Sequence, residues 1–74
     1  MEDHEICSII ISENDFSYEY TFYEDGIIRL TCLKEDGTTE WIKKEQISTR
    51  NKDRLVRLCP EEQKEKVMLI LNYP

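Results

Sequence analysis

The chain has 74 residues, of which 16 are Asp or Glu and 10 are Lys or Arg, and its formal net charge at pH 7 is −6. This length allows one small domain and excludes enzyme architectures that need two lobes or a cofactor-binding βαβ pair. A hydrophobic content of 39% is sufficient for a folded core. We therefore predict a single small domain over residues 1–74, with a sheet over about residues 5–43 and a helical region over about residues 51–72.

The first predicted strand covers residues 5–12 and has apolar residues on both faces. Residues two apart share one face of a strand, which groups Ile6 with Ile10 and places Cys7, Ile9 and Ile11 opposite them. Apolar residues on both faces are typical of a strand that is covered on both sides. We therefore expect a central or doubly covered position for this strand, followed by a turn over residues 12–15.

Two copies of the tripeptide Glu-Asp-Gly, at residues 24–26 and 35–37, predict tight hairpin turns. Glycine accepts the positive φ that such turns require without steric cost. The strands that flank these turns cover about residues 16–23, 27–34 and 38–43. Together with the first strand they predict a four-stranded antiparallel β-meander.

A stripe of aromatic residues marks one face of the second strand. Phe16, Tyr18, Tyr20 and Phe22 share this face, and Ser17, Glu19, Thr21 and Tyr23 share the other. The stripe fits a core face covered by the C-terminal helix, and it also fits an interface, since tyrosine has an apolar body and a polar tip. Tyr23, on the face opposite the stripe, is expected to be exposed.

The last third of the chain predicts helices. Pro60 followed by two glutamates is typical of a helix start, and Asn72 and Pro74 are typical of a helix end. These signals predict a helix over residues 60–72, with a buried strand over 67–71 as the alternative. A short helix over residues 53–59, capped by one of the polar residues at 48, 49 and 51, is predicted before it, with a fifth strand as its alternative.

The predicted fold class is therefore α+β: a four-stranded antiparallel β-meander sheet with one or two C-terminal helices packed on one face. Within this fold, no combination of residues predicts catalysis or metal binding. The three cysteines stand at positions 7, 32 and 59 and the one histidine at position 4, whereas zinc sites and nucleophilic catalysis need closely grouped partners. We expect no enzyme, cofactor or metal, and reduced thiols in the cytoplasm.

The charges are unevenly distributed along the chain. Residues 1–25 hold eight acidic residues and no Lys or Arg, a formal charge of −8, whereas residues 26–74 hold eight acids and ten bases, a charge of +2. Within the second part, residues 43–57 hold six bases and two acids, a charge of +4. No apolar run approaches the roughly 18 residues that span a bilayer, so we expect partners in solution rather than a membrane.

The acidic half predicts a surface for a protein partner with a basic surface. Carboxylates beside aromatic side chains can occupy a site lined by Lys and Arg, as a mimic of nucleic acid would. The residues predicted for this partner-binding surface are Glu13, Asp15, Tyr18, Glu19, Tyr20, Tyr23, Glu24 and Asp25.

In its size, acidity and lack of catalytic motifs, the chain resembles the small inhibitor proteins of phages and mobile elements, anti-CRISPR proteins among them. The resemblance implies a non-catalytic anti-defence inhibitor that blocks a nucleic-acid-handling partner. It concerns the general character of the whole chain and assigns no residue a role.

Two alternative functions follow from other features. The basic segment predicts a nucleic-acid-binding accessory protein, although the net charge of −6 opposes the approach of nucleic acid and makes direct binding the less favoured hypothesis. The residues predicted for this patch are Trp41, Lys43, Lys44, Arg50, Lys52, Arg54 and Arg57. An exposed strand edge would instead predict a homodimeric structural module.

Overall fold

The computed structural model describes residues 4–33 and 37–73 of the chain. Four strands and two α-helices follow one another along the sequence. They are β1 (Glu5–Glu13), β2 (Phe16–Tyr23), β3 (Ile28–Cys32), β4 (Thr39–Ile42), α1 (Thr49–Leu58) and α2 (Lys64–Leu71). Short 3₁₀ turns, Lys44–Gln46 and Glu61–Gln63, precede the two helices. The strands form one antiparallel sheet in the order β1-β2-β3-β4, which confirms the predicted α+β meander.

The first Glu-Asp-Gly turn has the predicted hairpin geometry. Gly26 has a φ of +91° and donates its backbone N–H to the carbonyl of Tyr23 at 2.9 Å. The Asp25 carboxylate accepts a hydrogen bond from the backbone N–H of Ile27 at 3.1 Å. In the second tripeptide, Glu35 and Asp36 lie outside the described residues, while Gly37 has a φ of +71°.

The expected central position of β1 is wrong, because β1 lies at one edge of the sheet. In a meander each strand pairs with the next one along the chain, and this connectivity leaves the first strand at an edge. Ile9 and Ile11 face the core and are each 4% exposed, whereas Ile10 faces outward and is 51% exposed. Apolar residues on both faces of β1 therefore do not mean that the protein buries both faces of this strand.

Both helices pack against the same face of the sheet and enclose the core there. Its most deeply buried side chains, each at most 1% exposed, come from β2, β3, α1 and α2: Phe22, Ile28, Leu55, Val67 and Leu71. Tyr20, at 7% exposure, also lies in this core, so the aromatic stripe is mainly a core face. Phe16 at the end of the stripe is 44% exposed.

The two helical segments are helices rather than the alternative strands. α1 begins earlier than predicted because the Ser48 side chain caps it, accepting a hydrogen bond from the backbone N–H of Asn51 at 3.1 Å. α2 ends where Asn72 adopts the left-handed conformation with a φ of 58°. Across residues 4–33 and 37–73, neither helix has the length and apolar character that crossing a membrane would require.

Candidate functional site

Within residues 4–33 and 37–73, both helices pack on one face of the sheet, and we call the other face the open face. Cross-strand register places side chains from all four strands in one row across it: Ser8 opposite Thr21, Thr21 opposite Arg29, and Arg29 opposite Trp41. Tyr23 lies on the same face, two residues after Thr21. The open face therefore combines small hydroxyl side chains near β1 with an arginine and two aromatic rings near β4.

Tyr23, Arg29 and Trp41 form a compact cluster at the β4 side of the open face. The rings of Tyr23 and Trp41 have centroids 5.9 Å apart at an interplanar angle of 55°. The Arg29 guanidinium lies over the Tyr23 ring, 5.6 Å from its centroid, in a cation–π arrangement. The Tyr23 ring therefore contacts both the Trp41 ring and the Arg29 guanidinium, although β3 lies between the strands that carry the two rings.

The expected exposure of Tyr23 is wrong, because its side chain is only 8% exposed although it lies on the open face. Its neighbours explain this burial, since Arg29 and Trp41 both pack against its ring. Trp41 itself is 60% exposed and forms the outer part of the cluster. Arg29 has a buried Nε without a hydrogen-bond partner among the described residues. An unpaired buried donor costs free energy, so the placement of Arg29 in this cluster lowers the free energy of unfolding.

A groove begins beside this cluster and runs between the β4 edge and α2. Its volume is about 770 Å³. We call it the Trp41 groove, and its lining residues are Gly26, Ile27, Trp41, Ile42, Lys43, Lys44, Glu45, Leu69 and Ile70. Three of these are large apolar residues with substantial exposure: Ile27 at 39%, Trp41 at 60% and Leu69 at 76%. Exposed apolar side chains gathered in one concave surface are typical of an interaction site.

The charged rim of the Trp41 groove comes from Lys43 and from the 3₁₀ turn Lys44–Gln46 that follows it. Lys43 and Lys44 supply two positive charges and Glu45 one negative charge, so the rim is net positive within an acidic protein. A hydrogen bond of 2.8 Å from the Lys43 backbone N–H to the Gln46 side chain stabilises this turn. The groove therefore presents an apolar floor with a basic rim.

The predicted acidic surface is divided between two ends of the sheet. Glu13 and Asp15 lie at the β1–β2 turn, and Glu24 and Asp25 lie at the β2–β3 turn, separated by the length of β2, roughly 25 Å. Glu13 forms an ion pair with Arg54 at 3.1 Å, and Glu24 forms one with Lys66 at 3.3 Å. These four carboxylates do not form one continuous surface.

The other residues of that predicted surface also have different surroundings. Tyr20 is buried in the core and Tyr18 packs beside it, so both belong to the helix-covered face. Glu19 lies on the open face, where it pairs in register with Ile10 and Thr31. Tyr23 is the member of the set that the structure brings into the aromatic cluster.

The predicted nucleic-acid patch is divided as well. Trp41, Lys43 and Lys44 line the Trp41 groove at the β4 side. Arg54 and Arg57 lie beside β1, at the opposite edge of the sheet, with Arg50 and Lys52 in the same helix. Arg57 forms an ion pair with Asp53 at 3.0 Å. The basic charge that is continuous in sequence thus forms two separate surfaces.

Sequence reasoning missed Arg29 and Leu69 as surface residues of interest. Arg29 alternates with core residues in β3, which places it on the open face. The sequence does not show that Arg29 lies opposite Trp41, because this pairing depends on the register between β3 and β4. Leu69 lies within a continuous apolar run over residues 67–71, where periodicity does not separate buried from exposed positions.

Comparisons with protein-family models, with curated proteins and with solved structures found no match.

Proposed function

We propose that the protein is a non-catalytic protein-binding module that holds an apolar segment of its partner in the Trp41 groove. One observation carries this proposal: Ile27, Trp41 and Leu69, all exposed, line the same groove of about 770 Å³. Binding hot spots are enriched in Trp, Tyr and Arg. The cluster at the mouth of the groove consists of these three residue types.

The rim favours a partner segment that carries acidic residues beside its apolar anchors. Lys43 and Lys44 would meet such carboxylates at the edge of the groove, where complementary charge mainly adds specificity and speed of association.

The hypothesis that the protein is an inhibitor that mimics nucleic acid remains a prediction, and it rests on the distribution of charge along the sequence. Such mimicry requires carboxylates at regular spacing along one surface. Glu13 and Glu24 instead lie at opposite ends of β2, and each forms an ion pair with a basic side chain of the same chain. An inhibitory role is compatible with the Trp41 groove, because a protein that occupies a partner's binding segment can block that partner.

The experiment is a selection of displayed random peptides on the immobilised protein, followed by titration of labelled peptides with fluorescence anisotropy. We expect enriched peptides with apolar anchors and acidic flanks. Trp41→Ala should weaken their binding by about tenfold or more, the loss typical of a hot-spot aromatic residue. Trp41 is the only tryptophan of the chain, so its emission reports directly on occupancy of the groove.

Two leucines on the helices provide a matched control. Leu69 lies in the groove at 76% exposure, whereas Leu58 is exposed to 58% but lies outside it. Leu69→Ser should weaken peptide binding, and Leu58→Ser should leave it unchanged. Enriched peptides that bind Trp41→Ala and Leu69→Ser as well as wild type would contradict the proposal. Salt-sensitive quenching of Trp41 by single-stranded DNA, without peptide enrichment, would favour the nucleic-acid alternative.

A further inference from the structure

We propose that two copies of this chain pair along the free edge of β1, antiparallel and with a two-fold axis at Ile10, to form one continuous eight-stranded sheet. β1 is the longest strand, with nine residues, whereas the edge strand β4 has four. Natural edge strands usually carry Lys, Pro or inward-pointing charge that prevents pairing with another chain. Residues 8–12 of β1 are Ser-Ile-Ile-Ile-Ser and carry none of these.

The hydrogen-bond pattern identifies the backbone groups that face the free edge. Tyr23 donates its N–H to the Ile27 carbonyl and Leu33 donates to the Ser17 carbonyl, so odd-numbered residues of β2 bond to the β3 side. Even-numbered residues of β2 therefore bond to β1, and their partners in β1 are the odd-numbered residues 7, 9, 11 and 13. The N–H and C=O groups of Ser8, Ile10 and Ser12 consequently point outward.

The sequence of this edge is its own complement in an antiparallel pair. Residues 8–12 read the same in both directions, so a two-fold axis at Ile10 places Ser8 opposite Ser12, Ile9 opposite Ile11 and Ile10 opposite Ile10 of the second copy. These pairs align all the outward-facing backbone groups of the two strands. Isologous contacts of this kind close on themselves and give a dimer rather than a filament.

Side chains beside the edge fit the same register. Ile10 is 51% exposed on the open face, and Leu58 of α1 is 58% exposed in a groove of about 290 Å³ that also contains Ile10 and Ile11. The axis is perpendicular to the sheet, so both α1 helices stay on one side and their Leu58 side chains face each other across the seam. The dimer thereby buries apolar surface on both faces of β1.

The backbone irregularity of β1 does not interrupt this segment. The register of β1 with β2 shifts between Glu5 and Cys7, which is a β-bulge of the kind that often protects sheet edges. The bulge precedes Ser8, so it protects only the first residues of the strand. Hydroxyl pairs between Ser8 and Thr21 at 3.0 Å, and between Ser12 and Ser17 at 3.0 Å, keep the small side chains within their own copy.

The test is sedimentation analysis of the full chain from about 1 μM to about 1 mM, the range that covers weak and moderate dimers. We expect the mass to rise towards twice 8.9 kDa. Ile10→Lys, which places two like charges opposite each other at the axis, should raise the dissociation constant by about tenfold or more. Leu33→Lys is the matched control, since Leu33 is 43% exposed and lies outside β1, and it should leave the constant unchanged.

Amide hydrogen exchange measured residue by residue tests the register without any mutation. Protection of the Ser8, Ile10 and Ser12 amides should increase with protein concentration. The Trp41 amide, which by the same alternation faces the free edge of β4, should show no such change. A monomer at every concentration, equal effects of Ile10→Lys and Leu33→Lys, or protection at Trp41 instead of β1 would each overturn the proposal. None of these outcomes bears on peptide binding in the Trp41 groove.

Discussion

Arg54 donates a hydrogen bond from its guanidinium to the Glu13 carboxylate at 3.1 Å, across 41 positions of the sequence. This contact joins the basic segment of the chain to its acidic first third. Lys66 and Glu24 form a second link of the same kind at 3.3 Å. Part of the charge asymmetry seen in the sequence therefore stabilises the packing of the helices on the sheet and is not available to a partner.

We predict a modest coupling energy between Arg54 and Glu13. Their side chains are 32% and 41% exposed, so water screens the pair, and such pairs contribute up to about 1 kcal/mol. A double-mutant cycle with Arg54→Met and Glu13→Gln, followed by urea unfolding, measures this coupling. The value should fall as salt is added. A coupling energy of zero at low salt would show that the contact contributes nothing to stability.

We predict that Leu55→Ala and Leu58→Ala have very different effects on stability, although both residues lie in α1. Leu55 is fully buried at 0% exposure, and truncation of a buried leucine costs about 2–5 kcal/mol. Leu58 is 58% exposed, and truncation of the monomer there should cost no more than about 0.5 kcal/mol. Urea unfolding at low protein concentration makes the comparison. Similar losses for the two variants would contradict the core described above.

We predict that the folded state loses stability at alkaline pH through Cys7. Burial, with the neighbouring Cys59 thiol as a further contribution, raises the pKa of Cys7 from 9.0 to about 12. A raised thiol pKa means that the folded chain holds this proton more tightly than the unfolded chain does. The contribution is therefore fully present below pH 9 and is lost progressively as the pH rises towards 12.

The measurement for Cys7 is the urea midpoint between pH 8 and about pH 11 in wild type and in Cys7→Ala. Burial also raises the pKa of Cys59 and Tyr20, so wild type and variant share part of the alkaline loss. The decline should be shallower in Cys7→Ala. Identical slopes in the two proteins would refute a role for the Cys7 thiol.

We predict that Trp41 fluorescence is quenched more efficiently by iodide than by caesium. Trp41 is 60% exposed, so both ions reach the indole, but Lys43 and Lys44 beside it attract the anion. Exchanging both lysines for glutamate should reverse the preference. Added salt should reduce the difference between the two quenchers. Equal quenching by the two ions at low salt would mean that the basic rim does not reach the indole.

Much of the local structure could be predicted from the sequence. The alternation of apolar and polar residues and the first Glu-Asp-Gly turn depend on neighbours within a few positions, and β2 has the predicted bounds. Helix starts were less accurate, because Ser48, Thr49 and Asn51 all suit a cap and only the folded backbone shows that Ser48 accepts the bond. The predicted central position of β1 is wrong, because an apolar pattern does not show whether other elements of the protein cover that face of the strand.

The candidate site could be predicted only in fragments. The sequence predicts Tyr23 as part of an acidic surface and Trp41 as part of a basic patch, whereas the structure places their rings 5.9 Å apart in one cluster with Arg29. The sequence by itself determined the pattern of the strands, the first tight turn and the uneven charge, because these depend on short-range preferences and composition. Strand register and helix packing alone decided which distant side chains meet, because such contacts depend on how the whole chain closes around one core.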